Sequence, residues 1–374
     1  MDAINIGIVG TRFMGRAHAN AFIDLPQFFE VPYRPVLKAA CGRDPQATQA
    51  YAQKFGWQET ETDWKKLVER EDIDLVDICT SNVTHQPIAL AAAKHGKHIL
   101  CEKPLACNAN EARAMYEAAE SAGVKHMVAF NYRRVPALAF AKQLIEQGKI
   151  GQLYHFNAVY YQDWLVNPAF PYTWRHNVEE SGSGALGDLS SHIVDLARFL
   201  VGEFEAVNGL QATFIKERQS PDGQQHPVTV DDATSFLARF QNGALGSFQT
   251  SRFCTGRKNF LRIEMFGSQG SLSFNLERLN ELEIYSATDP GTELGFKTIL
   301  VTEPAHPYMQ AWWPRGHIIG WEHTFIHEAK DLLESIAQNK PATPNFYDGL
   351  RCQQVLDAAV ESSRSGRWVA IPEK

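Results

Sequence analysis

Two groups of residues in this chain carry side chains suited to moving protons beside a bound substrate. The first is Glu102-Lys103-Pro104, which closes the apolar run His98-Ile99-Leu100-Cys101. Such a run reads as a short buried strand. Two charges at its carboxyl end stand where open α/β sheets bind ligands. Pro104 lacks an N–H, so it stops the strand and stiffens the turn that holds the lysine. A lysine fixed there can hydrogen-bond a substrate hydroxyl and hold positive charge beside a cofactor. The tripeptide alone suits an ordinary surface Glu-Lys pair equally well. The second group is Asp188, His192 and Asp195. Their i, i+4, i+7 spacing puts them on one helical face. A carboxylate near a helix N-terminus is favoured by the dipole. Four residues before an imidazole, it fixes the ring's tautomer and raises its basicity, as a general base requires. Alone, D-x-x-x-H is more often a first-turn acid and a core or surface histidine. The glycine-rich lead-in 182–187, GSGALG, and Lys103 reverse that balance.

The elements that must position the first group alternate. Residues 4–10 read as an apolar strand and 14–22 as a helix. Gly10, Arg12 and Gly15 fall in the frame of the G-x-G-x-x-G dinucleotide loop, with Arg12 in place of the middle glycine. That loop aims backbone N–H groups at a pyrophosphate from a helix start. Gly10 makes the tight turn, and Gly15 lets helix and strand approach. Arg12 has a Cβ where the pyrophosphate passes, and its guanidinium offers a phosphate clamp instead. Strands at 36–41, 75–80, 97–101 and 127–130 alternate with helices at 45–55, 64–69, 85–95 and 108–122. That rhythm implies right-handed β-α-β units and a parallel sheet. Strand two runs into Gly42-Arg43-Asp44. Gly42 takes the position from which an acid usually binds the adenosine ribose 2′-hydroxyl. Arg43 can pair with a 2′-phosphate, while Asp44 still offers an acceptor one residue on. NAD and NADP both stay open as the cofactor.

After residue 131 the texture changes. Strands at 153–162, 206–214, 235–240, 244–250, 261–266 and 271–275 alternate polar with apolar residues. Asn242-Gly243 and Ser268-Gln269-Gly270 are hairpin-type turns. An antiparallel sheet with one helical face follows, with helices at 186–200, 324–338 and 347–365. The fold class expected is α/β. An N-terminal Rossmann dinucleotide-binding domain spans 1–130, and a C-terminal α/β domain with an open antiparallel sheet spans 131–374. Helix 347–365 is a candidate to pack back on the first domain. The unpaired face of the sheet must be covered, which implies a homo-oligomer.

Composition narrows the function classes. A chain of 374 residues suits two domains. It is 44% hydrophobic and 21% charged, ordinary for a globular protein. Its net charge of −7 argues against nonspecific nucleic-acid binding. No apolar run is long enough to span a membrane, and residues 1–10 lack the basic region of a signal peptide. The six cysteines form no C-x-x-C pair and no zinc-like spacing. A reducing cytoplasm and no structural metal are expected.

Nearly the whole chain resembles the Gfo/Idh/MocA oxidoreductases. The resemblance is carried by the amino-terminal loop, 74–80 (DLVDICT), His85, 96–104 (GKHILCEKP), 131–134 (NYRR) and the Asp188/His192 helix. It implies hydride transfer between a sugar, glycoside or cyclitol hydroxyl carbon and nicotinamide C4. Lys103 resembles the catalytic lysine, and Asp188 and His192 resemble the substrate-side acid and base. His192 would take the hydroxyl proton, oriented and polarised by Asp188. Cofactor contacts are implied at Gly10, Arg12, Phe13, Met14, Gly15, Gly42, Arg43, Thr80, Asn82, His85, Glu102 and Lys103, with Glu102 near the nicotinamide ribose. Arg12 replaces a family glycine, and Ser81 stands where a proline often follows the third strand. Both departures bear on cofactor affinity and identity.

Segments 131–134, 162–164 (QDW), 174–175 (WR) and 305–308 (AHPY) look most like the glycoside-oxidising members. The substrate side is expected at Lys103, Asn131, Tyr132, Arg133, Trp164, Trp174, Arg175, Asp188 and His192. Trp312 and Trp313 are further rings that could stack on sugar faces, and Lys258 and Arg315 further clamps. Tyr132 and Arg133 follow the last Rossmann strand, so they are expected to enter an interdomain cleft. Two other functions fit these residues. One is an NAD-dependent oxidoreductive glycosidase, which oxidises, eliminates, hydrates and re-reduces. The other is a redox-inactive cofactor-binding sensor, although binding alone needs no proton relay.

Overall fold

The computed structural model describes residues 2–372. They form two compact units. One holds the residues up to Asn131 together with Gly320–Arg351; the other holds Tyr132–Ile319 and the residues from Cys352 on. The segment that rejoins the first unit is therefore 320–351, whereas the expected returning helix was 347–365.

The first unit runs β1 (Asp2–Val9), α1 (Phe13–Phe28), β2 (Tyr33–Cys41), α2 (Pro45–Phe55), β3 (Glu59–Glu61) and α3 (Trp64–Glu69). It continues with β4 (Leu75–Ile78), α4 (His85–Lys94), β5 (His98–Cys101), α5 (Ala109–Ala122) and β6 (His126–Val128). The strands pair in parallel in the order β3-β2-β1-β4-β5-β6, the strand order of a Rossmann fold. All four residues of β4 are buried, including Asp77, which is 0% exposed. Local sequence explains the helix starts. Asp44 Oδ1 accepts from the N–H groups of Gln46 and Ala47 and caps α2, with Pro45 in its first turn. Asn108 caps α5 by accepting from the Glu111 N–H, and Glu111 reaches back to the Cys107 N–H.

The second unit opens with α6 (Pro136–Glu146), β7 (Leu153–Tyr161) and α7 (Val178–Ser181). A π-helical turn, Leu186–Ser190, leads into α8 (Ser191–Leu200). Strands β8 (Phe204–Ala212), β9 (Glu217–Gln219), β10 (Gln225–Pro227), β11 (Ala233–Phe240) and β12 (Leu245–Ser251) follow. Next come β13 (Phe260–Gly267), β14 (Gly270–Asn275), β15 (Glu281–Ser286) and β16 (Lys297–Leu300). Helix α9 (His323–Ala337) lies in the returning segment of the first unit, α10 (Phe346–Ser365) spans the switch between units, and β17 (Val369–Ala370) ends the chain's regular structure.

The large sheet has the order β16-β15-β14-β13-β7-β12-β11-β8-β17. It is mostly antiparallel, as expected, with one parallel pair, β7 and β12. The chain enters β12 from the β11 hairpin and so meets β7 from the same direction. Alternation is cleanest on β11. Phe156, Phe236, Phe240 and Phe248 face the buried side, and the Phe236 and Phe248 rings stack at 4.6 Å. The opposite face carries Leu210 (72% exposed), Leu237 (55%) and Leu245 (51%) on three adjacent strands.

Candidate active site

The dinucleotide-type loop is built from close backbone approaches. Gly10 has φ 109°, and its N–H donates to the Cys41 carbonyl. A Cβ there would lie 2.4 Å from the Cys79 carbonyl oxygen, and one at Gly15 would lie 2.0 Å from the Gly10 carbonyl oxygen. The Tyr51 hydroxyl donates to the Gly15 carbonyl and ties α2 to the loop. Arg12, the N-cap of α1, makes no side-chain cap bond. The first-turn N–H groups of a 16-residue helix thus face the loop, as anion binding requires. Arg12 and Phe13 are exposed and Met14 half-buried. The Phe13 ring stacks on Trp321 at 5.5 Å and 6°.

At the ends of β4 and β5 the chain is braced from below. His85 is 0% exposed. Its Nδ1 lies 3.1 Å from the Pro104 carbonyl oxygen and its Nε2 3.2 Å from that of Thr80. Burial pushes its pKa down, so the neutral ring donates from one nitrogen at a time. Enclosed in this way, His85 joins the two strand-end loops, a bracing role beside the cofactor contact expected of it. Thr84 Oγ1 donates within the same loop, to the Ser81 carbonyl. Asn82 is 8% exposed and sits in the short turn between β4 and α4.

Lys103 is half-buried, and its main-chain N–H donates to Glu102 Oε2 at 3.0 Å. Glu102 itself is 4% exposed. Its other oxygen, Oε1, meets His18 Nε2 at 3.1 Å. His18 Nδ1 lies 2.9 Å from Asp77 Oδ1, with the Cys79 thiol at 3.4 Å. The expected strand-end pair therefore rests on a buried imidazole and a buried carboxylate. Neither is among the expected site residues. Asp77 carries a legible signal, an acid inside an apolar strand; His18 carries none beyond being a histidine on α1.

In the second unit the glycine-rich lead-in is pinned by one carboxylate. Asp231 Oδ1 accepts from the Gly184 N–H at 2.7 Å, and Oδ2 accepts from the Leu186 N–H and the Thr234 hydroxyl, both at 2.8 Å. A Cβ at Gly184 would lie 1.8 Å from the Asp231 carbonyl oxygen. The helix then starts with a π turn, so Asp188 is not phased as an α-helical residue would be. Such turns are frequent at functional sites. Arg252, 2% exposed, donates from Nη2 to Asp188 Oδ2 at 3.0 Å and to the Gly184 carbonyl. The Asp188 side chain keeps 30% of its surface exposed. His192 is 5% exposed, and its ring packs 4.3 Å from Tyr132 and 5.9 Å from Tyr160. The two tyrosine hydroxyls are 3.0 Å apart, and Tyr160 also donates to Asn259 Oδ1. Asn259 Oδ1 accepts in turn from Gln162 Nε2, and Gln162 Oε1 from the Trp164 indole. Tyr132, Tyr160 and Arg252, from three segments, thus meet the ring and the carboxylate, and Asn259 fixes the Tyr160 hydroxyl.

Residues 4–130 match an oxidoreductase family with an NAD-binding Rossmann fold, and residues 138–273 match the Gfo/Idh/MocA C-terminal domain. The chain belongs to the Gfo/Idh/MocA oxidoreductase family. The levoglucosan dehydrogenase of Pseudarthrobacter phenanthrenivorans is 42% identical over 388 aligned residues, covering 100% of this chain and 99% of that protein. Among solved structures, an oxidoreductase domain protein from Kribbella flavida is 50% identical at a TM-score of 0.97 and covers 100% of both chains. A levoglucosan dehydrogenase in complex with NADH and levoglucosan is 43% identical at a TM-score of 0.97, again over 100% of both chains.

For this NAD-binding oxidoreductase the loop geometry fits the cofactor: a helix start without a side-chain cap, and two glycines where side chains would collide. Gly42 is half-buried and Arg43 exposed at the end of β2. Asp44 is drawn into the α2 cap through Oδ1, which weakens it as a ribose acceptor. Several expected substrate residues are committed elsewhere. Arg133 makes a bidentate pair with Asp195, at 2.8 and 2.6 Å, with both side chains buried and its guanidinium over Phe199. That geometry makes Arg133 a core strut. Asn131, 3% exposed, donates to Thr324 Oγ1. Trp164 lies under the Arg252 guanidinium at 5.4 Å, and Trp174 under Arg175 at 4.4 Å; both rings are half-buried. Lys258 pairs with Asp163, Trp312 is buried, and Trp313 is exposed.

Proposed function

We propose that the protein is an NAD-dependent dehydrogenase that oxidises a secondary hydroxyl of a pyranose-type sugar, with levoglucosan the first compound to test. The observation that carries this reading is full-length similarity to a levoglucosan dehydrogenase, whose solved complex holds NADH and levoglucosan, in a chain that has Lys103, Asp188 and His192 together. In this reading His192 accepts the hydroxyl proton. Lys103 donates to the same oxygen and stabilises its developing negative charge. Asp188, held by Arg252, orients His192 and favours its protonated form. Bound cofactor supplies the hydride acceptor. Trp164 and Trp174 offer half-buried rings to a sugar face, and Tyr132 walls the imidazole. Arg43, exposed beside Gly42, makes NADP the second cofactor to titrate.

The test is NADH formation, followed by absorbance, over a panel of levoglucosan, pyranoses, glycosides and inositols, with Lys103→Ala and His192→Ala beside the parent. We expect turnover on at least one panel member and a loss of about 10²–10⁴-fold in each variant. Near-normal turnover in either variant removes that residue from the mechanism. Release of an aglycone without NADH accumulation would redirect the reading to a glycosidase. Binding of NAD with no turnover on any compound would favour a sensor.

The leucines on the open sheet face support a homodimer or homotetramer formed across that face. Light scattering at micromolar concentration should then exceed the monomer mass of 42.0 kDa. Six free cysteines, three of them buried, are consistent with a reducing cytoplasmic location. Among the described residues no helix is long and apolar enough to cross a membrane.

A further inference from the structure

Beneath the Glu102-Lys103 turn lies a charge cluster that the proposed reaction does not use directly. His18 is 2% exposed, Asp77 0% and Glu102 4%. Each nitrogen of the His18 ring faces a carboxylate oxygen, Nδ1 at 2.9 Å from Asp77 and Nε2 at 3.1 Å from Glu102. Carboxylates accept and do not donate when ionised. With both carboxylates ionised, both contacts are satisfied at once only if both ring nitrogens carry protons. Two buried carboxylates with one imidazolium between them form a bound triad whose parts come from α1, β4 and the end of β5. An acid inside a fully buried strand is costly unless paired, and here its partner is a histidine that spans to the strand-end glutamate.

We propose that His18 is a positioning residue, bonded through both ring nitrogens to Asp77 and Glu102, that fixes the Glu102 carboxylate and through it the strand-end turn carrying Lys103. The last link is the Lys103 N–H, which donates to the Glu102 oxygen that His18 leaves open. Burial works against a charged ring, but the Asp77 carboxylate at Nδ1 holds the His18 pKa well above its usual value. The other titratable groups around the ring are Cys101 on β5, Tyr51 on α2, and Glu328, which lines the same enclosed space from α9 beside the Phe325 ring. Cys79 and Cys101 are pushed up by burial and stay neutral thiols. The Asp77 contact is thus the one whose charge is removed most simply, by Asp77→Asn, which keeps the shape.

The proposal rests on the role given above to Lys103, so its test is separated from turnover. Nitrogen-15 histidine spectra of the wild-type protein, with His18 assigned from His18→Gln, should show both ring nitrogens protonated from pH 6 to 8. Asp77→Asn should bring a titration into that range. The Lys103 side chain is followed by carbon-13 reductive methylation, assigned from Lys103→Arg, and its resonance should move in both His18→Gln and Asp77→Asn. Where a substrate has been found, kcat should fall about 10- to 100-fold in Asp77→Asn, as small misplacements of reacting groups do. It should recover in part toward low pH, with the KM for NAD changed less. A neutral His18 ring in the wild type at pH 7, or a Lys103 resonance unmoved in both variants, overturns the proposal. Neither outcome touches the sugar dehydrogenase reading, which stands or falls on Lys103→Ala and His192→Ala.

Discussion

Replacing Asp231 should damage the second unit more than any exposed charge would, and the damage can be worked out bond by bond. Its carboxylate takes two backbone N–H groups, from Gly184 and Leu186, and the Thr234 hydroxyl, at 2.7–2.8 Å, with 6% of the residue exposed. Hydrogen bonds to a charged group contribute about 1.5–3 kcal/mol each, and a buried N–H left without a partner costs about 1–3 kcal/mol. These figures overlap because they describe the same broken contacts. The geometry leaves little room for substitute partners, since the Asp231 backbone crosses Gly184 too closely for a Cβ. Asp231→Ala should therefore lose about 3–5 kcal/mol. Asp231→Asn keeps one acceptor but turns an NH2 toward the second N–H, and should lose roughly half as much. Guanidinium unfolding gives the loss, and amide exchange at Gly184 and Leu186 shows whether it is local. A loss under about 1 kcal/mol with exchange at those two amides unchanged would refute the argument. The functional consequence follows from the chain path. The pinned loop starts the π turn that carries Asp188, so turnover should fall in Asp231→Asn even where the fold survives.

Arg133→Leu should destabilise by about 3–5 kcal/mol, because it leaves Asp195 buried without its bidentate partner; thermal unfolding checks it, and a loss below 1 kcal/mol would return Arg133 to the list of substrate residues. Gly15→Ala should weaken NAD binding measured by calorimetry at least tenfold, because its Cβ would lie 2.0 Å from the Gly10 carbonyl oxygen and the loop must shift. His176 should make the protein acid-sensitive. It is 0% exposed, and burial, reinforced by Arg218 and Arg252, pushes its pKa down from 6.5 to about 4. The unfolded chain takes up the proton first, so this contribution is fully present above pH 6.5 and lost as pH falls toward 4. It amounts to about 3 kcal/mol at most. His176→Asn, whose amide oxygen can replace the acceptor to the Thr173 N–H, should flatten the stability-versus-pH curve in that window; an unchanged slope would count against it.

Most first-unit elements were legible because their signals are local. Helices at 45–55 and 64–69 match α2 and α3 residue for residue, since Asp44 and Asp63 cap them and a glycine or a polar turn ends them. α1 was read as ending at residue 22 but runs to Phe28. Pro26 sits inside it, near enough to the end that the lost bond costs little. α6 was missed altogether. Its start is marked by Pro136, which reads as a turn unless the next three turns are recognised as apolar on one face. The parallel β7–β12 pair was beyond reach, since pairing partners far apart in sequence leave no periodic trace. At the proposed site, Lys103, Asp188 and His192 could be named from the sequence because their motifs are contiguous. It could not find Arg252 and Asp231, because their partners lie 64 and 47 residues away. It also places Arg133 on the substrate side, since a sequence cannot show that Asp195 already holds it.

Those missed residues share a physical logic with the ones that were found. A catalytic charge must be held still and kept ionised, and an exposed side chain manages neither well. In the first unit the Lys103 turn is set on Glu102, which is itself held by a buried imidazole and a buried aspartate. In the second, the half-exposed Asp188 is set on Arg252, a guanidinium 2% exposed that also grips the Gly184 carbonyl. Each proposed reactive group thus has an opposite charge behind it, fixed in the core by hydrogen bonds to backbone or to a further charge. A buried pair adds little to stability compared with apolar residues of the same size. Keeping such pairs therefore makes physical sense as a way to hold geometry. The distinction can be measured: Arg252→Met should leave the midpoint of unfolding within about 2 kcal/mol of the parent, because the half-exposed Asp188 can be hydrated, while turnover falls by 10-fold or more. Equal losses in both would mean that Arg252 only holds the fold together.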